Sequence, residues 1–304
     1  MYYPVLRGKQ FELIALRELA TVLSNTEFCP IIEPVRQKMD SLGKTISHLN
    51  KENLEPIVVV NPYLGDFSDA SGKFSIEESL RSTIEGLRFT PCFSTKGLSS
   101  SELSSLISST STPFAVFVEE GLNKDIVSIL SDASLVISNK YHRAAFKSLS
   151  QVVVVEDNFS RATKNSDYPD KSYFSDRHTD YKEGENVVGF GDYTITGNGF
   201  LEAGGPAYVV AIHLSYIDPD EFNAMYVKHF KSYDDKSPTR PGDKFGDALD
   251  KLIDFTNDNP DLFNDTIGLD GFRRLKSEDH FPGLGQIKKL SIQHHIETLS
   301  KYRE

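Results

Sequence analysis

A (β/α)8 barrel of the TIM type is the fold class this sequence predicts, and two observations predict it. Short apolar, β-rich runs recur eight times, and most intervals between them read as amphipathic helices. The runs are mostly apolar without alternation, as expected of parallel strands covered on both faces. Their starts are spaced by roughly 20–30 residues, the length of one βα unit. A closed barrel of such units takes about 250 residues, which fits within the 304 present. An open doubly wound sheet is the competing architecture. No GxGxxG follows the first run and no GxxxxGK[ST] occurs, which weakens its nucleotide-binding versions.

The strands are read, in order, as YYPVL from Tyr2, CPIIEPV from Cys29, PIVVVNP from Pro56 and RFTPCF from Arg88. They continue as PFAVFVEE from Pro113, SLVISN from Ser134, VVVVED from Val152 and VVGFGD from Val187. Between the first two, Phe11, Ile14, Leu19 and Val22 recur at helical spacing. SIEESLRSTIEGL opens with Ser75 and Glu78 in capping-box spacing and carries Ile76, Leu80, Ile84 and Leu87 on one stripe. SSELSSLISS, NKDIVSILSD with Asn123 as N-cap, and KYHRAAFKSL supply later helices.

Two segments depart from the repeat. Residues 158–186 lack an amphipathic helix and are rich in Asp, Lys, Ser and Tyr, so a lid-like loop is expected there. Residues 193–217 form an extra β excursion in which Tyr208, Val210, Ile212, Leu214 and Tyr216 share one face. Its expected partner is an extension of the eighth strand through DYTITGNGF, and it is also a candidate for the eighth strand itself. Residues 245–304 read as helical and supply the closing barrel helix and an extra C-terminal helix, within one domain spanning 1–304.

Composition narrows the function classes. The net charge of -11 argues against general nucleic-acid affinity, which needs basic surface. No apolar run approaches the roughly 20 residues needed to cross a bilayer, and no signal-peptide pattern opens the chain. Cys29 and Cys92, each beside a proline in an apolar run, are expected as buried thiols in a reducing, cytoplasmic compartment.

The strand ends carry the most specific signal. The apolar runs stop at Arg7, Glu33, Asn61, Ser94, Glu119, Asn139, Glu156 and Asp192, followed closely by Lys9, Arg36, Lys96, Glu120, Lys140 and Asp157. In a barrel these ends share one rim, the face that holds active sites. Any one of them is an ordinary loop-ordering residue; converging carboxylates and cations must be paired or ligated. Glu33, Glu119, Glu156 and Asp192 are candidate ligands for Mg²⁺ or Mn²⁺, which take oxygen donors. Glu119, Glu156 and Asp192 are the candidate catalytic groups; Arg7, Lys9, Asn61, Lys96 and Asn139 are the candidate ligand-binding ones. Metal-free acid–base work by two carboxylates, as in glycoside hydrolysis, ranks lower because the chain has no tryptophan platform.

Histidine signals are weaker. No HExxH occurs, His213 falls on the polar face of the extra strand and is expected to be exposed, and His142 is the histidine nearest the rim. No GxSxG elbow is present. The glycine-rich GNGFLEAGG reads as a flexible turn.

The opening YYPVLRGKQFELIALREL with CPIIEPV, and later VVVNP, VVVVED, GFGDYTI and FPGLGQIKKLSIQHHIETL, resembles the beta-protein family of bacteria and their phages. The resemblance spans nearly the whole chain and implies a barrel-type α/β fold. It also implies a mobile-element or antiviral-defence neighbourhood with a nuclease-like, operon-encoded partner, but no catalytic set. The expected function is therefore a defence protein whose charged mouth binds and hydrolyses a phosphorylated or nucleotide-like ligand. The alternative is a non-catalytic subunit that meets its partner through the extra strand or the C-terminal helix.

Overall fold

The computed structural model describes residues 1–69, 75–110, 113–120, 122–202, 204–205 and 207–303. The expected assignment of 1–304 to one barrel domain meets a division into two compact units. The first comprises Met1–Asp157 and Asp180–Tyr193, the second Asn158–Thr179 and Thr194–Glu304.

The first unit is the predicted barrel. Its strands are β1 (Val5–Leu6), β2 (Ile31–Ile32), β3 (Ile57–Val59), β4 (Thr90–Ser94), β5 (Ala115–Val118), β6 (Leu135–Ser138) and β7 (Val152–Glu156). The next strand, β8 (Lys171–Ser175), leaves for another sheet, and β9 (Val187–Asp192) is the eighth strand of the barrel. All neighbours are parallel. Helices α1 (Gln10–Leu19), α2 (Asp40–Lys51), α3 (Ile76–Thr83), α4 (Ser100–Ser108), α5 (Lys124–Leu130) and α6 (Arg143–Phe146) fill the intervals. Ser75, Ser99 and Asn123 accept from the backbone N–H three residues on, satisfying donors that a helix start leaves unpaired.

The absence of alternation in these strands follows from two cores. Val5, Ile31, Val59, Phe117, Ile137 and Val155 fill the barrel axis. The intervening Val116, Val136 and Val154 pack outward against Leu103 of α4, Ile126 of α5 and Phe146 of α6. The seam closes at the N-terminus, where Tyr2 bridges Phe28 on one side and Phe190 on the other. The Tyr3 N–H donates to the Phe190 carbonyl at 2.8 Å, and the Phe190 N–H to the Met1 carbonyl at 3.2 Å.

The second unit is an antiparallel sheet in the order β10 (Ala211–Asp218), β11 (Ala224–Lys231), β8. The expected lid-like loop thus contains strand β8, and the extra strand pairs with β11, not with DYTITGNGF. Residues 203 and 206 of that excursion lie outside the described residues. Helices α8 (Pro241–Asp258), α9 (Ile267–Ser277) and α10 (Leu284–Ser300) cover one sheet face, joining Ile212, Leu214 and Phe230 to Phe245, Leu252 and Phe272. They belong to this sheet, where a closing barrel helix was expected. Between α7 (Arg177–Asp180) and the C-terminus, His178 meets the Tyr302 ring edge-on, with centroids 4.6 Å apart. No described helix is long and apolar enough to cross a membrane.

α10 is buried along nearly its whole length, polar residues included. His294 has no exposed surface; its Nε2–H donates to the Ser215 carbonyl at 2.8 Å and its Nδ1 meets the Thr266 hydroxyl at 2.7 Å. Burial, opposed by the bond to Ser215, pulls this imidazole from 6.5 down to about 4. As pH falls below 6.5 the unfolded chain binds a proton that the folded one refuses until about pH 4. Stability therefore falls with pH through this window, by up to about 1.4 kcal/mol per pH unit from this residue, and is unaffected above it. Urea midpoints at pH 7.5 and 5 are expected to differ in this direction, with a smaller difference in His294→Gln; equal midpoints would refute the assignment.

Candidate active site at the barrel mouth

Side chains two apart on a strand share a face, so the axis-facing core extends upward by counting. Above Val5 comes Arg7, above Ile31 Glu33, above Val59 Asn61 and then Tyr63, and above Cys92 Ser94. Above Phe117 comes Glu119, above Ile137 Asn139, above Val155 Asp157, and Tyr193 itself belongs to the axial core. This ring is the inner mouth.

Arg7 and Glu33 form an ion pair and are both buried, with 6% and 2% of their surface exposed. The Arg7 guanidinium also stands over the Tyr193 ring, 5.2 Å from its centroid. Gly8 turns the chain here with φ +67°, a conformation that costs a side-chain-bearing residue about 1–2 kcal/mol. Helix α1 then begins beside two cations, and the carboxylate that compensates is Glu12. Its Oε2 accepts from the Arg7 N–H at 2.8 Å and the Lys9 N–H at 3.2 Å.

Glu119 is the most thoroughly positioned group. The Tyr63 hydroxyl donates to its Oε1 at 2.8 Å, and the Ser94 hydroxyl donates to its Oε2. Its backbone N–H reaches the Thr95 hydroxyl at 3.2 Å, and its carbonyl accepts from the Asn139 amide at 3.0 Å. The residue as a whole is half-buried. Burial first, then the bond to Glu119, pushes the Tyr63 phenol up, which keeps it a donor. Burial also raises the Tyr193 phenol, with Arg7 opposing and Glu119 adding. These shifts register how closely Arg7, Tyr63, Glu119 and Tyr193 converge.

Other expected site residues have different places. Asn61 both donates to and accepts from the Ser94 backbone, each at 2.8 Å, and Asn139 is spent on Glu119, so both amides order the rim. Lys96 pairs with Glu120, and Arg36 with Asp66 at 2.9 Å. Lys9 is half-buried at the start of α1. Glu156 and Asp192 have the parity of Val154 and Phe190, so they face the outer layer, away from the axis. Asp192 is 3% exposed and accepts from the Tyr2 hydroxyl at 2.7 Å. His142 is exposed and packs on Phe146. His213 is sheltered, against the expectation, because Phe159 and Tyr168 cover its face of the sheet.

The four carboxylates expected to hold Mg²⁺ or Mn²⁺ thus split between two faces. Among the described residues no three His, Cys, Asp or Glu side chains gather as a metal-ligating group. The expected four-carboxylate centre is therefore not assembled as one group. The thiols do not replace it as nucleophiles: burial pushes Cys29 up to about 12 and raises Cys92 as well.

Tyr63 and Tyr193 were not among the expected site residues. Counting by two from Val59 and from Gly191 finds them, because a strand's parity continues past its last apolar residue. No family model matches the chain, and no curated protein matches it.

Proposed function

We propose that the barrel mouth is a small-molecule site built on Glu119, which binds and hydrolyses a phosphorylated or nucleotide-like ligand. The observation that carries this reading is the carboxylate of a half-buried residue, fixed on both oxygens by Tyr63 and Ser94, at the active-site face of a barrel. Each carboxylate oxygen has a second lone pair, so Glu119 keeps the capacity to accept a proton. The inner ring holds Glu33, Glu119 and Asp157 against Arg7, so the ligand part on the axis is uncharged, such as a sugar or base. The half-buried Tyr63 offers a ring face to it, and the phosphoryl group lies above Glu119, on the side of Lys96 and Lys140.

In this reading Glu119 takes a proton from the attacking water as its oxygen bonds to phosphorus. The ester P–O bond breaks, and its electron pair leaves with the ester oxygen, which is protonated by solvent. Glu119→Gln is expected to lower phosphate release from a nucleoside monophosphate panel by about 10²–10⁴-fold, the usual range for a lost general base. Its melting temperature should stay near that of the wild type, because the amide oxygen still accepts one bond. Equal rates in the two proteins would remove Glu119 from the reaction. The resemblance to the beta-protein family supports placing this activity in bacterial defence against phage or other mobile DNA, beside a nuclease-like partner.

One observation favours a second reading, a non-catalytic interaction subunit. The rim cations Arg7, Arg36 and Lys96 each have an internal carboxylate partner. A pull-down with neighbouring gene products separates the two: loss of capture on changing the outer edge of β10, with no phosphate release from any panel member, would favour the subunit.

A further inference from the structure

The second unit contains its own cavity, of about 220 Å³, between β10 and the first turns of α10, whose Ile287, Lys288 and Ser291 line it. Its described lining carries two cations, Arg161 and Lys288, and no carboxylate, in a chain of net charge -11. Arg161 is already oriented: Nη2 donates to the Thr196 carbonyl at 2.6 Å and Nη1 to the Gly199 carbonyl at 3.1 Å. Those bonds use two of the five donors of a guanidinium.

One wall is aromatic. Phe159 and Tyr168 are both buried and meet the His213 ring edge-on, with centroids 5.2 and 4.6 Å away. Behind His213 runs a hydrogen-bonded chain: its Nδ1 lies 2.8 Å from Nδ1 of His229, whose Nε2 lies 2.8 Å from the Ser172 hydroxyl. Burial and the neighbouring His229 pull His213 down to about 3, so it is neutral near pH 7. In a neutral Nδ1–Nδ1 pair one ring donates and the other accepts, so the two tautomers are locked together. If His229 donates to His213, the Nε2 of His213 carries a hydrogen; if the order reverses, that Nε2 accepts. The Ser172 hydroxyl suits either order, accepting from His229 in one and donating in the other. His213 therefore adapts to a donor or an acceptor, and its Nε2 makes no hydrogen bond to any described residue.

We propose that this cavity binds a small aromatic anion, with its ring against Phe159, Tyr168 and His213 and its charge on Arg161 and Lys288. The His213 Nε2 serves a polar atom of the ring. The volume is below the roughly 300–1,000 Å³ of clefts for drug-sized ligands, which limits the ligand to one or two rings. Arg161 presents a planar fork to a carboxylate or phosphate, and Lys288 adds a point charge. All of its lining residues belong to the second unit.

The test is calorimetric titration of the full chain at pH 7 with benzoate, orotate and phenyl phosphate, against acetate and benzyl alcohol. At least one aromatic anion is expected to bind, while acetate and benzyl alcohol bind about tenfold more weakly or not at all, each lacking one half of the recognition. Tighter binding of the carboxylates or of the phosphate assigns the anionic group. Arg161→Gln and Lys288→Gln should each weaken binding about tenfold, since each removes a charge-assisted contact, with melting temperatures unchanged. Glu119→Gln should bind as the wild type does. No uptake of any aromatic anion, acetate binding as tightly as benzoate, or binding that survives both substitutions would overturn the proposal. Loss of binding in Glu119→Gln would also overturn it, by moving the ligand to the barrel mouth.

Discussion

Gly191→Ala is expected to destabilise the barrel by about 3 kcal/mol, the upper end of the usual cost of overpacking. Gly191 lies on β9 at the seam, where the last strand meets the N-terminal segment. A Cβ there would overlap the Tyr3 carbonyl oxygen and stand 3.0 Å from its carbonyl carbon. These are backbone atoms tied into the seam by the 2.8 Å bond from the Tyr3 N–H to Phe190, so no rotamer change relieves the clash. The seam must open or the strand must shift. Urea denaturation is the check: a midpoint lowered by well over 1 M, for an m-value of about 2 kcal/mol/M, is the expected result. A shift within error would mean that closure at Tyr2 and Tyr3 contributes little.

Glu33→Ala is expected to cost a similar amount, about 3–5 kcal/mol, for a different reason. It leaves the Arg7 guanidinium, 6% exposed, without the carboxylate that compensates its desolvation. The pair itself need not be stabilising, since its Coulombic gain is set against the desolvation of two charges. The double variant Arg7→Met/Glu33→Leu should therefore recover most of the loss, because replacing both members of a buried pair is often neutral or better. A thermodynamic cycle over wild type, both single variants and the double variant measures this directly. A double variant as unstable as Glu33→Ala would show that the pair holds the fold together rather than placing a charge at the mouth.

The barrel was legible because its signal is repetitive. Each of VVVV, IVVV and AVFV needs cover on both faces, and only the parallel sheet with helices outside and a packed axis inside provides it. The second unit was harder to read. Its strand β8, KSYFS, has one buried residue among five, so no apolar pattern separates it from a loop. Its partner β11, AMYVKHFK, places Lys228 and His229 among its apolar residues, and the alternation is lost to the eye. The rim was legible as a collection of charges but not by direction. Arg7, Glu33 and Glu119 share the inward parity, whereas Glu156 and Asp192 are each one residue away from it, with Asp157 and Tyr193 inward instead. A one-residue step flips a side chain to the other face, and the last apolar residue of a strand does not mark which face comes next. That Asn61 and Asn139 bond backbone, and that Tyr63 reaches Glu119, depends on neighbouring strands and is invisible along the chain.

The central claim is that Glu119 is the working group of the barrel mouth. A crystal structure of the protein soaked with a non-hydrolysable nucleoside phosphonate tests it most directly. The expected result is ligand in the mouth, with a polar atom or bridging water within about 2.6–3.2 Å of the Glu119 carboxylate, the reach of a general base. Ligand ordered only elsewhere, or an empty mouth at saturating concentration with Glu119 still held by Tyr63 and Ser94, would contradict it.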